Sequence, residues 1–320
     1  MFEERRSDTR ETAPVLGLVH SREPLPFDRI ALRDDLLLIG REVDDGSGIS
    51  TGDARMSRVH VRILPDRRAG AAKFRISDAH SRNGTFLNGA RIESALLADG
   101  DVVRLGDCLF VYTEVEPMAR VRALAAQFSR ALPPSLLIEG EVSSGRRRVA
   151  RQIHADSGAG GALTESLAAD GGSALVLNID AASAEAQAAL LHALQTSKQR
   201  CVFVTASDST RIDPPLYAAL AHAKIELPPL RARKGELLSL LPQLSAAAGN
   251  PVTLALNADA AEALLLWPWP GNFGEAAALF AQAARERPGR VFDIAALREL
   301  APAIIAHALE RKRSRFSLKS

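Results

Sequence analysis

Cysteine is scarce in this sequence. Cys108 and Cys201 are the only two in 320 residues, far apart and outside any Cys-x-x-Cys pair. That argues against a disulfide framework or a zinc site and for a reducing compartment. Charge of one sign is lacking as well: 40 Lys and Arg face 38 Asp and Glu, a formal net charge of +2. No global basic field marks the chain as a nucleic-acid or membrane binder. Long apolar runs are absent; none approaches the ~18 consecutive residues that a membrane helix needs. The first residues, MFEERRSDTRE, are charged throughout and lack the apolar stretch of a signal peptide. These absences lead us to expect a cytoplasmic protein without metal or membrane contact.

What is present is ordinary globular material, 47% hydrophobic and 24% charged, in a length that suggests two domains of about 150 residues each. Residues 1–14 read as a disordered tail. From 15 to 115 the texture is β: DLLLIG, RVHVRIL, AKFRIS, GTFLNG and DVVRLGDCLFVYT are short apolar runs between Gly, Asp, Asn and Ser clusters. Closely spaced strands of this kind predict a β-sandwich. The texture changes near Pro117. MARVRALAAQFSRAL has helical spacing up to Pro133-Pro134, SLLIEG reads as a buried strand, and RRRVARQIHA reads as a helix after a glycine-rich turn. Two more strands, SALVLNI and RCVFVTAS, flank the helix AEAQAALLHALQTS, so residues 116–232 form an α/β unit. Residues 233–290 are helical. From 291 to 320 the sequence predicts one helix, DIAALRELAPAIIAHALERKR, interrupted at Pro302, and a basic tail.

Three fragments of the β segment stand together: Gly40-Arg41, Ser57-Arg58-Val59-His60, and DAHSRNGTFLNG from Asp78 to Gly89. With Gly100-Asp101 and Leu105-Gly106 they resemble the forkhead-associated (FHA) domain, a phosphothreonine-binding β-sandwich, over residues 15–115. The resemblance implies that Arg41 and Ser57 hold the phosphate, that Arg58 lies beside it, that Arg82 lines the same loop, and that Asn83 bonds the peptide backbone. His60 becomes a loop brace, joined in a structural role by Gly40, Gly84, Asn88 and Gly89. The chemistry suits a phosphate dianion. A planar guanidinium can grip it through paired charge-assisted bonds, and Ser57 can add a hydroxyl donor. The plainer alternative is that Asn83-Gly84 and Asn88-Gly89 are only hairpin turns.

The stretch GEVSSGRRR, 140–148, has the outline of a P-loop. With Ala169–Gly172 (ADGG), QAALLHALQ, ELPPLRARKGEL at 226–237 and WPGNFGEA at 269–276, it resembles the AAA+ domain of sigma-54-dependent transcriptional activators. That resemblance implies an α/β subdomain with an α-helical lid, and a nucleotide site degraded at nearly every part. Gly140 and Gly145 keep the loop, but Arg146 replaces the phosphate-binding lysine and Arg147 follows it. Ser143 replaces a loop glycine. Leu177 and Asn178, or Asn178 and Ile179 after a one-step slip, stand where the two Walker B acids belong. Asp213 and Ala219 fall where arginines reach a neighbour's ATP, and Gly274 falls where the lid has its arginine. Arginines at such places can contribute roughly 10³–10⁵ in rate. The interval from His154 to Ala169 has no room for the sigma-54-contacting loop, and no recognition helix for DNA follows the lid. The simplest reading of Arg146, Arg147 and Arg148 is solvated charge at a helix start. Phosphate or ATP binding without hydrolysis is the minority reading.

The expectation is therefore a multi-domain chain: an FHA sandwich, then a truncated α/β P-loop domain with a helical lid. It reads as a phosphothreonine-dependent signalling adaptor, not an enzyme, with no cofactor and no catalytic residues. Its partner is a threonine-phosphorylated protein, a substrate of a bacterial Ser/Thr kinase. A homo-oligomer is left open; DNA and sigma-54 are not expected partners. Two rivals are an FHA-containing sigma-54-dependent regulator that binds ATP, and an ATPase in which Asp180 or Glu185 replaces the lost acids. Thr9 and Thr12, in the N-terminal tail, are candidate phosphorylation sites through which the module could bind itself.

Overall fold

The computed structural model describes residues 13–43, 48–66, 73–165, 172–196, 199–247, 253–286 and 291–314. Thr9 and Thr12 with most of the N-terminal tail, residues 169–171 of the Ala-Asp-Gly-Gly string, and the end of the basic tail lie outside them. The chain divides into two compact units. One comprises Met1–Glu116, Arg233–Pro268 and Ala276–Ser320, the other Pro117–Ala232 and Trp269–Glu275.

The first unit opens with eleven strands: β1 (Val15–His20), β2 (Arg29–Ala31), β3 (Leu37–Gly40), β4 (Ile49–Ser50), β5 (Val61–Pro65), β6 (Phe74–Asp78), β7 (Thr85–Leu87), β8 (Ala90–Ile92), β9 (Ser94–Leu96), β10 (Val102–Leu105) and β11 (Cys108–Thr113). They form two sheets, β2-β1-β11-β10-β7-β8 and β4-β3-β5-β6-β9. The period-2 pattern explains the pairing of faces. In β5, Val61 and Ile63 are buried while Arg62 is exposed. These side chains meet Leu16, Ile39, Ile76, Val103, Phe110 and Tyr112 in one core between the sheets. The β7–β8 hairpin turns on Asn88-Gly89, both at positive φ (50° and 81°), the two-residue turn that Asn-Gly favours. Asn88 also ties this turn to the loop before β10: its Nδ2 donates to Asp101 Oδ1 at 2.6 Å, and its Oδ1 accepts from Val102 N at 3.0 Å.

In the second unit, helix α1 (Ala119–Arg130) precedes β12 (Ser135–Glu139), and helix α2 (Arg146–Asp156) follows the P-loop-like turn. Then come β13 (Leu163–Thr164), β14 (Ser173–Val176), α3 (Ala184–Thr196), β15 (Cys201–Ala206), α4 (Pro214–Leu220) and β16 (Lys224–Glu226). The five strands form one sheet in the order β13-β14-β15-β12-β16, parallel at every pairing. Its strands are near-continuous apolar runs because both faces are covered. Leu136, Ile138 and Phe203 face one core, and Leu137, Val202 and Val204 the other.

The remaining elements are helix α5 (Lys234–Ala247), β17 (Thr253–Leu254), α6 (Ala258–Leu266), α7 (Asn272–Glu286), β18 (Val291–Phe292), α8 (Ile294–Leu300) and α9 (Pro302–Ser314). β17 and β18 pair in parallel. The segment expected to be one interrupted helix is two, α8 and α9. Ala301 leaves helical geometry at φ −139°, ψ 61°, and Pro302, which has no N–H to donate, opens the next helix. The Ala/Leu-rich helix α6 is core material: every residue in it except Asp259 is buried.

Candidate functional site

One cluster gathers on the loops of the sandwich, and Ser57 is its pivot. The Arg41 N–H donates to the Ser57 carbonyl at 2.9 Å and the Glu42 N–H to that of Arg58 at 3.2 Å. The Arg82 N–H donates to Ser57 Oγ at 3.0 Å. Three segments distant in sequence thus converge on one serine. Gly40 makes this convergence sterically feasible: a Cβ there would lie 1.8 Å from the Arg58 carbonyl oxygen. Arg41, Arg58, Arg82 and Asn83 are exposed. Among the described residues, none of the three arginines pairs with a carboxylate.

His60 holds the floor of the site. It is fully buried. Its Nδ1 accepts from the Ser57 N–H at 3.1 Å, which leaves the proton on Nε2, 3.2 Å from the Gly84 carbonyl. Burial pushes its pKa below the ordinary 6.5, against the Gly84 bond and the charges of Asp78 and Asp53. His60, expected as a loop brace, thus bonds both the Ser57 and the Gly84 loops. Gly84 sits at φ 83°, with no room for a Cβ beside the Arg91 side chain.

Sequence reasoning passed over four contributors. Asp78 receives Ser81 Oγ at 2.5 Å, Ser81 N at 2.9 Å and Thr85 Oγ1 at 2.7 Å. Burial alone would raise its pKa; these hydrogen bonds outweigh that and hold it low. Ser81 Oγ accepts from Gly84 N at 3.0 Å. Arg55 offers its carbonyl to Asn83 Nδ2 at 2.6 Å. The signal available for Asp78 and Ser81 was their i, i+3 spacing, which suits a side-chain-capped turn. Nothing local marked Arg55, since it acts through its backbone.

The second cluster is the P-loop-like turn. Gly140 (φ 158°) and Gly145 (φ 107°) adopt glycine conformations, and Ser143 sits at φ 59° where its Cβ is unfavourable. Of the three arginines only Arg147 and Arg148 are exposed. Arg146 is 7% exposed, which corrects the reading of all three as solvated charge. Its Nη2 donates to Asn178 Oδ1 at 2.8 Å. The residues that the AAA+ resemblance sets at the phosphate-lysine and Walker B positions are therefore bonded to each other. Ile179, which the slipped alignment would use, is a core residue. Burial lowers the Arg146 pKa and the nearby Asp180 charge counters it. The Asp180 carboxylate accepts from Ser207 Oγ at 2.5 Å and Asp208 N at 3.2 Å. These bonds outweigh the upward push of burial on its pKa. Arg147 bonds Glu165 instead of facing the turn.

The Trp-Pro-Gly-Asn string closes this turn. Asn272, fully buried, donates to Glu141 Oε2 at 3.0 Å and to the Val142 carbonyl at 3.1 Å, and accepts from Leu230 N at 2.8 Å. Arg231 clamps Glu141 through both nitrogens, at 2.5 and 2.9 Å. Ser143 Oγ lies where a Cβ on Gly274 would come within 2.7 Å. Among the described residues there is no metal-binding group of His, Cys, Asp or Glu, and no helix is long and apolar enough to cross a membrane.

The site thus defines a β-sandwich whose loops are joined by main-chain bonds around one serine, beside three exposed arginines. Residues 37–106 match the family model of the FHA domain, so the sandwich carries an FHA domain. Over 76 residues the chain is 41% identical to an ABC transporter ATP-binding/permease protein of Mycobacterium tuberculosis, covering 24% of this chain and 8% of that one. Over 95 residues it is 34% identical to the glycogen accumulation regulator GarA of Mycolicibacterium smegmatis, covering 30% of this chain and 56% of the regulator. The chain thus spans about half of the second relative and a small part of the first. Among solved structures, NtrX from Brucella abortus in complex with ATP aligns at 21% identity and a TM-score of 0.48, covering 63% of this chain and 59% of NtrX.

Proposed function

We propose that this chain is a signalling adaptor that binds threonine-phosphorylated protein through its FHA domain. The observation that carries this reading is that main-chain bonds gather the loops of Arg41, Arg58 and Arg82 around Ser57, while their exposed guanidinium groups have no carboxylate partner among the described residues. A phosphate would supply the missing acceptors. Arg41 and Ser57 hold the phosphate, Arg58 flanks it, and Asn83 takes the peptide backbone. Kinase substrates are the matching partner class, because only phosphorylation places a dianion on a threonine.

The test is binding of a fluorescent, sequence-degenerate phosphothreonine peptide pool by the full chain and by Arg41→Ala. Losing one member of a charge-assisted pair costs about 2–5 kcal/mol, so binding weakens at least ~30-fold in the variant. The unphosphorylated pool does not bind. Equal binding by variant and parent refutes the assignment.

The α/β unit, in this reading, is an AAA+-like scaffold that does not hydrolyse ATP. Support comes from Arg146 bonded to Asn178 and from the Asn272–Glu141–Arg231 cluster lining the turn. A second reading, anion binding without turnover, has one observation in its favour: Arg146 Nη1 is buried with no hydrogen-bond partner among the described residues. Titration of labelled ATP and ADP, with Mg²⁺, separates the two. Saturation without phosphate release supports the second reading, and no binding at millimolar nucleotide supports the first.

A further inference from the structure

Strand β11 is buried along both of its faces. Cys108, Phe110 and Tyr112 enter the sandwich core. Leu109 and Val111 alternate with them and so point the other way, yet they are 0% and 3% exposed. The register carries this outer face across the sheet: Val111 lies opposite Val102, itself buried, and Leu109 lies opposite Arg104. An antiparallel sandwich that faces water on its outer side shows a polar residue at every second position; this strand shows none until its end.

The helical segment of the same unit covers that face. Helix α5 packs on β1 and β11, α6 on β10 and β11, and α9 on β8. Polar ties fasten the apolar contact. Arg104 Nη1 lies 2.6 Å from Asp259 Oδ1 and 3.0 Å from Glu262 Oε2, and Lys312 Nζ lies 3.3 Å from the same Glu262 oxygen. Glu262 is 1% exposed; a carboxylate buried so deeply persists only with such partners. Lys234 Nζ donates to the Gly100 carbonyl at 2.9 Å, and burial lowers its pKa. At the β7–β8 turn, a Cβ on Gly89 would lie 3.1 Å from Leu266 Cδ1, so the helix seats closely on the hairpin.

We propose that the outer face of the FHA sheet is a docking surface whose occupant is the chain's own helical segment, the described residues 233–247, 253–268, 276–286 and 291–314. Sandwich and helices unfold as one cooperative body. The helical segment is thereby a built-in partner of the FHA domain, and the reader of the phosphorylated threonine is the sandwich together with its cover.

The test uses the full chain and no ligand, so its outcome is independent of the phosphothreonine reading. The sequence has two tryptophans, Trp267 and Trp269. Trp269→Phe leaves Trp267, edge-on to His307 at 5.5 Å, as the sole fluorophore reporting on the helices. In that background Ile76→Ala is introduced in β6, in the sheet away from the helices. The Trp267 urea midpoint is expected to fall by about 1 M. Ile76→Val, a milder change that keeps the fold, moves it less in the same direction. A double-mutant cycle of Arg104→Met and Glu262→Gln is read at the same fluorophore, and the two losses are expected to be non-additive. A Trp267 transition that ignores both Ile76 variants, or additive losses in the cycle, overturns the proposal.

Discussion

At the scale of single residues, His60 couples pH to the recognition loops. Its folded pKa lies below the ordinary 6.5 because burial disfavours the imidazolium. The unfolded chain therefore binds the proton more tightly. The stabilisation is present in full above about pH 6.5 and is lost as pH falls through the folded pKa. Urea midpoints of the sandwich are expected to drop on acidification below pH 6.5, and less so in a His60→Asn variant. His60→Ala leaves the Ser57 N–H and the Gly84 carbonyl without their partner, at a cost of about 1–3 kcal/mol by equilibrium denaturation. Ser143 gives an effect of opposite sign. Its φ of 59° costs an L-residue roughly 1–2 kcal/mol relative to glycine. Ser143→Gly should raise the stability of the α/β unit by about 1 kcal/mol. A lower midpoint would show that the contact of Ser143 with the Gly274 region outweighs the strain.

Among elements, α6 depends on its first turn. Asn257 caps it, Oδ1 accepting from Ala260 N at 2.9 Å, and the helix is only nine residues long. So short a helix has little stability of its own, and its cap and its burial must support it. Asn257→Ala is expected to cost about 1 kcal/mol, with hydrogen exchange rising across 258–266. Under the docking proposed above, exchange rises in 102–111 as well. The break between α8 and α9 shows the same logic in reverse: Pro302 cannot continue a helix but starts one well.

For the molecule as a whole, the proposed phosphothreonine binding and the proposed docking of the helices can be read in one measurement. A ligand that binds only the folded state, at 100 times its Kd, adds about 2.7 kcal/mol of stability. Phosphothreonine peptide at that level should raise the Trp267 midpoint in the Trp269→Phe chain, and raise it by at most about a third as much when Arg41→Ala is added. The connection is visible at short range. The carbonyl of Arg55 receives Asn83, its guanidinium reaches Asp107 at 3.0 Å, and Arg104 Nε donates to Gly106 O at 3.2 Å before its other nitrogen meets α6.

Much of the sandwich was readable from the sequence because its signals are local. Apolar alternation located β3, β5, β6, β7, β10 and β11, and the two Asn-Gly pairs marked turns. Gly40-Arg41, Ser57-Arg58 and Arg82-Asn83 named the loops that meet. The α/β order followed likewise from apolar runs separated by helical spacing. Long-range placement stayed out of reach. Arg146, read as solvated beside Arg147 and Arg148, is buried because Asn178, distant in the chain, accepts its guanidinium. Arg55 meets Asn83 only through its carbonyl, and a backbone group carries no residue signature. The helices after Arg233 read as a lid by resemblance, whereas their described packing is against the FHA sheet, through pairs such as Arg104 and Glu262 that lie 158 positions apart. The apolar run CLFVY was read only as one short strand of the sandwich. The apolar run determined that β11 would be a strand; only the tertiary structure decided that both its faces are buried and what buries them, because the covering contacts depend on which distant faces match in shape and charge.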